Sequence, residues 1–164
     1  MDDKRTLLIH FLAALAYRTQ KALRGAPEDF ATFHAAPKAR TPHELVNHMN
    51  SVLGYARTFL VGGTYRVTPL PQFSAEINRF HATLADLARL IAESSEWKNI
   101  TPEQLLQGPL SDAMTHAGQL AMLRRLAGRP VPPENFVFAK ISPTNLGPDQ
   151  PPPARPDEDW PEHP

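Results

Sequence analysis

The chain has 164 residues, with 17 Lys+Arg balanced by 17 Asp+Glu, so it carries no formal net charge at pH 7. That length suffices for one domain with a sizeable core, and the charge balance argues against a general nucleic-acid or anionic-membrane surface. There is no Cys, which removes disulfides, a thiolate nucleophile and thiolate ligands, and fits a reducing cytoplasm.

The start, MDDKRTLLIHFLAALAY, superficially suggests a secretory signal. It lacks a clean cleavage site, is broken by His10 and stays amphipathic through Arg18 and Gln20, so it reads as a core helix over residues 3–24. Leu7, Leu8, Phe11, Leu12, Leu15 and Leu23 supply its apolar face, with His10 partly exposed. Residues 28–40 form a connection containing Phe30 and Phe33. Thr41-Pro42-His43-Glu44 is a capping box with Pro at the first helical position, opening a second helix that Gly62-Gly63 stops. Its expected buried face is Leu45, His48, Met49, Val52, Ala56 and Phe59, with His43, Asn47 and Asn50 outside the core. The linker over residues 62–73, fully extended, reaches roughly 35–40 Å, enough to cross the length of a bundle.

A third helix is expected over residues 74–94, with Ile77, Phe80, Leu84, Leu87, Ala88 and Ile91 inward and His81 at the edge of that face. Thr101-Pro102-Glu103-Gln104 is a second capping box, starting a short helix that ends before Gly108. The last long helix, GPLSDAMTHAGQLAMLRRLAGRP, has Pro109 at its first position, Gly128 just past its end and Arg124 and Arg125 in the last turn, where cations complement the helix dipole. Eleven of the eighteen Pro lie from Pro130 onward, so no further long helix fits. NFVFAKI (residues 135–141) is apolar enough to lie against the bundle, and DQPPPARPDEDWPEHP reads as extended, with Trp160 a candidate anchor. Four amphipathic helices make an all-α four-helix bundle over residues 1–141, followed by a Pro-rich irregular tail over residues 142–164. The tail's composition suggests that it serves the site rather than the fold. No run is long enough to span a bilayer.

His48 and His116 fall on core-facing positions of two long helices, and Asp112 lies one turn before His116. Two unrelated core histidines, each satisfied by a hydrogen bond, would account for the first two. A carboxylate on the same side favours a shared divalent metal, for which His48, Asp112 and His116 offer three ligands and leave open positions. Imidazole and carboxylate suit Zn, Ni or Fe. Asp112 could instead accept the free ring N–H of a liganding His, or stand beside an empty site. Gln119, seven residues beyond Asp112, is a candidate substrate contact, with an interhelical hydrogen bond as the plainer role. No catalytic base is identifiable.

The combination of TPHELVNHMN, the GPLSDAMTHAGQLAMLRRLAGRPV helix, NFVFAKI and DQPPP resembles the DinB-like (DinB/YfiT) metalloenzyme superfamily over nearly the whole chain. The resemblance implies an up-down-down-up bundle and a metal held by three side chains, usually all His. These fall on His48, Asp112 and His116, with Asp112 departing from the usual His. It also implies a small-molecule substrate, a low-molecular-weight thiol as co-substrate of a transferase, and a homodimer. A hydrolase using metal-activated water is the related reaction, and a degenerate site on a non-enzymatic binding protein is the alternative. Despite the family name, the neutral charge gives no support for DNA binding.

Overall fold

The computed structural model describes residues 2–157. It contains α1 (Asp3–Leu23), α2 (Pro42–Val61), α3 (Phe73–Glu93), the short α4 (Pro102–Leu105) and α5 (Ser111–Leu126), with α1, α2, α3 and α5 forming a four-helix bundle. No sheet forms among the described residues, where an isolated bridge pairs Glu134 with Pro156. Trp160 lies outside the described residues.

Helix directions follow from side-chain contacts. Asn50 meets Glu76, and one stage further along both helices Arg57 meets Asp86 at 2.6 Å, so α2 and α3 run parallel. Arg5 at the start of α1 reaches Ile91 O near the end of α3, while Gln20 meets His81, so α1 and α3 are antiparallel. Arg124 near the end of α5 donates to Ala22 O and Arg24 O, and Lys4 pairs with Glu103 just ahead of α5, so α1 and α5 are parallel. The sense is therefore up-down-down-up, and the principal pairings are α2 with α3, α1 with α5, α1 with α3 and α2 with α5.

Both capping boxes form. Glu44 N donates to Thr41 Oγ1 at 3.2 Å and Thr41 N to Glu44 Oε2 at 2.8 Å; Thr101 and Gln104 repeat the pattern. Gly62, at φ 82°, takes the chain out of α2, and the linker returns along the bundle with the Tyr65 ring seated on Gly54, where any Cβ would overlap it. The short helix gives way to the last one at a kink within Leu106–Leu110, at the expected Gly108, and the chain runs on into α5 with little intervening loop. Gly108 (φ −89°, ψ −107°) supplies the break, and Pro109 fits beyond it because the kink asks nothing of its missing N–H.

The core holds Leu12, Leu15, Met49, Leu53, Phe80, Leu84, Leu87 and Leu120. Several faces are rotated from the expected ones. Leu7 is 68% exposed, because it sits roughly 100° round the helix from Leu8. In α2 Leu53 and Leu60 are buried and Val52 and Phe59 lie at the edge, which moves His48 from the centre of the stripe to its rim. Asn50, expected outside the core, is fully buried, and so is His81. Arg124 does more than complement the helix dipole: it is buried and its guanidinium ties the end of α1 to Arg129 O.

The segment after α5 docks differently from the expected apolar run. Val137 and Phe138 face solvent, and Phe136 packs edge-on against Tyr17 with Arg18 over its ring. Leu146 and Gln150 are the buried anchors. His81 Nδ1 lies 2.7 Å from Leu146 O and so donates to it. Glu134, its side chain wholly buried, accepts from Tyr17 Oη at 2.7 Å and Lys21 Nζ at 2.8 Å. The tail thus continues the folded body along α1 and α3 through residue 150.

Candidate metal centre

His48 sits in the first half of α2, and Asp112 and His116 occupy the first turns of α5. The antiparallel packing of α2 on α5 brings the three together. One ligand atom from each lies within 4.8 Å of the others, and the His48 and His116 rings meet edge to face at 4.8 Å between centroids. His116 is buried, His48 half-buried and Asp112 open to solvent, so the group forms a pit with one exposed lip.

The hydrogen bonding of His116 fixes what this pit can hold. Its Nδ1 lies 2.8 Å from Gln119 Oε1, an acceptor, so Nδ1 carries the proton. In the neutral ring Nε2 is then a lone pair. That atom is buried and makes no hydrogen bond, yet it lies 3.3 Å from Asp112 Oδ1. A lone pair facing a carboxylate needs a cation between them, either a proton on Nε2 or a metal. Bonds of about 2.1 Å in tetrahedral geometry place two ligand atoms about 3.4 Å apart, close to the 3.3 Å between these two, while the set that includes His48 lies within 4.8 Å. Burial, then the nearby Arg40 and His116, push the His48 pKa below the ordinary histidine value against the opposing pull of Asp112. That keeps the imidazole neutral and competent to bind metal. Two neutral imidazoles and one carboxylate fit a divalent cation and leave coordination positions open toward solvent.

Gln119 hydrogen-bonds within its own helix rather than across helices. The structure brings His48, Asp112 and His116 together and adds Gln119 behind His116.

A second polar cluster braces α2. The buried Glu76 carboxylate accepts from Asn47 Nδ2 at 2.9 Å, Asn50 Nδ2 at 2.8 Å and Leu70 N at 2.7 Å, with Arg79 at 3.3 Å. Asn47 and Asn50 flank His48, so this carboxylate fixes the turn of α2 that presents the histidine. Sequence reasoning did not single out Glu76, because an acid in the first turn of a helix is ordinarily a solvated complement to the dipole. The pair of Asn residues around His48 is the signal that could have found it.

Two hollows lie beside these residues, one reaching His48 and the other reaching Gln119 but none of the three candidate ligands. One, of about 570 Å³, includes His34, His43, His48 and Ser51 in its wall. The other, of about 500 Å³, includes Leu45, Gln119 and Met122. Lys38, Ala39 and Arg40 belong to both.

No protein-family model, curated protein or solved structure matches this chain. Among the described residues no helix is long and apolar enough to cross a membrane.

Proposed function

We propose that the chain is a divalent-metal-dependent enzyme of the DinB-like type, a transferase using a low-molecular-weight thiol or a hydrolase using water. The observation that carries this reading is the orphaned, buried Nε2 of His116, aimed at Asp112 with its tautomer set by Gln119. His48, Asp112 and His116 are the ligands. A metal bound there supplies a Lewis acid that lowers the pKa of a coordinated water or thiol. Gln119 keeps the His116 lone pair directed into the pit, the Glu76 cluster holds His48 in place, and the exposed Asp112 leaves the open side free for a small-molecule substrate. A homodimer in a reducing cytoplasm accompanies this reading: the chain has no Cys of its own, so the nucleophilic thiol would come from solution.

The non-enzymatic alternative draws on one observation. Asp112 is solvent-exposed, so an empty site would not strand a buried charge. Tag-free protein titrated with Zn, Ni and Fe(II) under reducing conditions separates the two. Stoichiometric binding of one metal, followed by turnover in a thiol-transfer and ester-hydrolysis screen, is the expected outcome. Failure to hold any of the three leaves a binding protein.

A further inference from the structure

Resting on that metal-site reading, we infer that Lys38 and Arg40 form an oxyanion-binding subsite beside the metal, so that the substrate is a small molecule carrying a carboxylate or phosphate group. The 34–40 loop lies between two hollows, one bordered by the ligand His48 and the other by Gln119, the partner of the ligand His116. Both side chains are exposed, and neither makes a hydrogen bond or ion pair with another described residue. Arg40 is close enough to act electrostatically on both His48 and Glu44.

Glu44 lines the hollow beside His48, where one of its oxygens is already engaged by Thr41 N, and the hollow beside Gln119 has no carboxylate in its wall. The local excess is therefore cationic, in a chain whose formal net charge is zero. Lys38 has φ 66°, a left-handed backbone that a glycine would adopt without penalty, so the position carries a cation despite its conformation. The half nearest Gln119 adds the apolar Leu45 and Met122. Hollows of this size suit a small molecule, and the arrangement suits one whose anionic end rests on Lys38 and Arg40 while its reacting end meets the metal. Arg40 can take an oxyanion through two parallel N–H bonds, which Lys38 supplements as a point charge.

The test uses the full, tag-free chain loaded with Co(II), whose visible spectrum reports ligands entering the metal's open positions. Three probes share the hydroxamate that binds metal: acetohydroxamate has no anionic end, succinyl monohydroxamate adds a carboxylate, and phosphonoacetohydroxamate adds a phosphonate. At least one anionic probe should bind about tenfold or more tightly than acetohydroxamate, as expected of charge-assisted hydrogen bonds, and the tighter probe names the oxyanion. In the Lys38→Gln/Arg40→Gln double variant that advantage should vanish. Acetohydroxamate binding should stay within about twofold and Co(II) affinity should be retained or rise, because two cations near the metal are gone. Equal binding of all three probes by the wild type, or an advantage that survives in the double variant, overturns the subsite while leaving the metal site standing. Wild type that takes up no Co(II) overturns the metal reading, and the subsite with it.

Discussion

Gln119 Oε1 and His116 Nδ1 stand 2.8 Å apart on successive turns of α5, which commits the other ring nitrogen of His116 to the pit shared with His48 and Asp112. A ligand held in one tautomer loses nothing to proton rearrangement when metal arrives. Gln119→Ala should therefore weaken metal binding by about tenfold or more, the usual effect of removing an outer partner of a liganding histidine. Gln119→Glu, which keeps the acceptor and adds negative charge, should bind at least as tightly as wild type. Competition with a chromogenic chelator measures both. An unaltered affinity for Gln119→Ala would show that the tautomer is held by something else.

The three proposed ligands should not be interchangeable. His48→Ala and His116→Ala each remove one nitrogen donor, and Asp112→Ala removes the one anionic donor; each should lower affinity by about tenfold or more. Asp112→His should retain or tighten binding, because a third imidazole is the ligand the resemblance implies at that position. Metal content after dialysis against buffered Zn²⁺ is the measurement.

Glu76 makes a different kind of prediction, on stability. Its wholly buried carboxylate gathers Asn47, Asn50, Leu70 N and Arg79. Glu76→Ala strands the buried Asn50 amide and the half-buried donors of Asn47, Leu70 and Arg79 at once and should cost roughly 2–4 kcal/mol. Glu76→Gln preserves the shape but turns an amide N–H₂ toward donors, so it should also destabilise, by roughly 1 kcal/mol or more. Urea unfolding followed by circular dichroism reads the difference. If both variants were as stable as wild type, the cluster would not be what holds the start of α3 against α2.

The tail gives the pH dependence. Burial pushes the His81 pKa below its ordinary value of 6.5, against the hydrogen bond to Leu146 O. With the folded value depressed, the unfolded chain takes up the proton first as pH falls. His81's contribution is thus complete above about pH 6.5 and shrinks as pH drops toward the folded value. His48 is shifted the same way in the metal-free protein. Urea midpoints should fall between about pH 7.5 and about pH 5.5, and fall less in His81→Gln. Truncation after Ile141 removes Leu146 and the Gln150 anchor; because Leu146 belongs to the core, the loss should be about 2 kcal/mol or more. That outcome would contradict the sequence expectation that the tail serves the site rather than the fold.

The parts of this architecture that local chemistry controls were readable from the chain. Thr41 and Thr101 announce two helix starts because the capping box is closed by residues three apart. His48, Asp112 and His116 stood out because helical spacing put them on one inward side, where polar side chains need partners; only His116 is buried, with His48 at the rim and Asp112 in solvent. What stayed hidden depends on packing between distant segments. Nothing local tells a buried Glu76 from a solvated first-turn acid, or an inward Asn50 from an outward one. The α2 stripe turned by about one residue, which periodicity alone does not resolve. The run NFVFAKI looked like the part of the tail that packs, but Val137 and Phe138 face solvent and Leu146, set among Pro, Asn and Gly, took the buried place.

The order in which the helices pair has a consequence for how the chain folds. No two long helices that follow each other in sequence make one of the bundle's principal antiparallel contacts: α2 and α3 lie parallel, and the closest antiparallel pairs are α1 with α3 and α2 with α5. A bundle of simple helical hairpins can assemble from neighbours, each loop closed cheaply and early. Here each antiparallel contact must wait for a closure that spans an intervening helix, and the α2–α3 contact for a linker long enough to run back along the bundle. Relative contact order is raised for an all-helical protein, and refolding should be slower than the microsecond-to-millisecond range of helical bundles rich in local contacts.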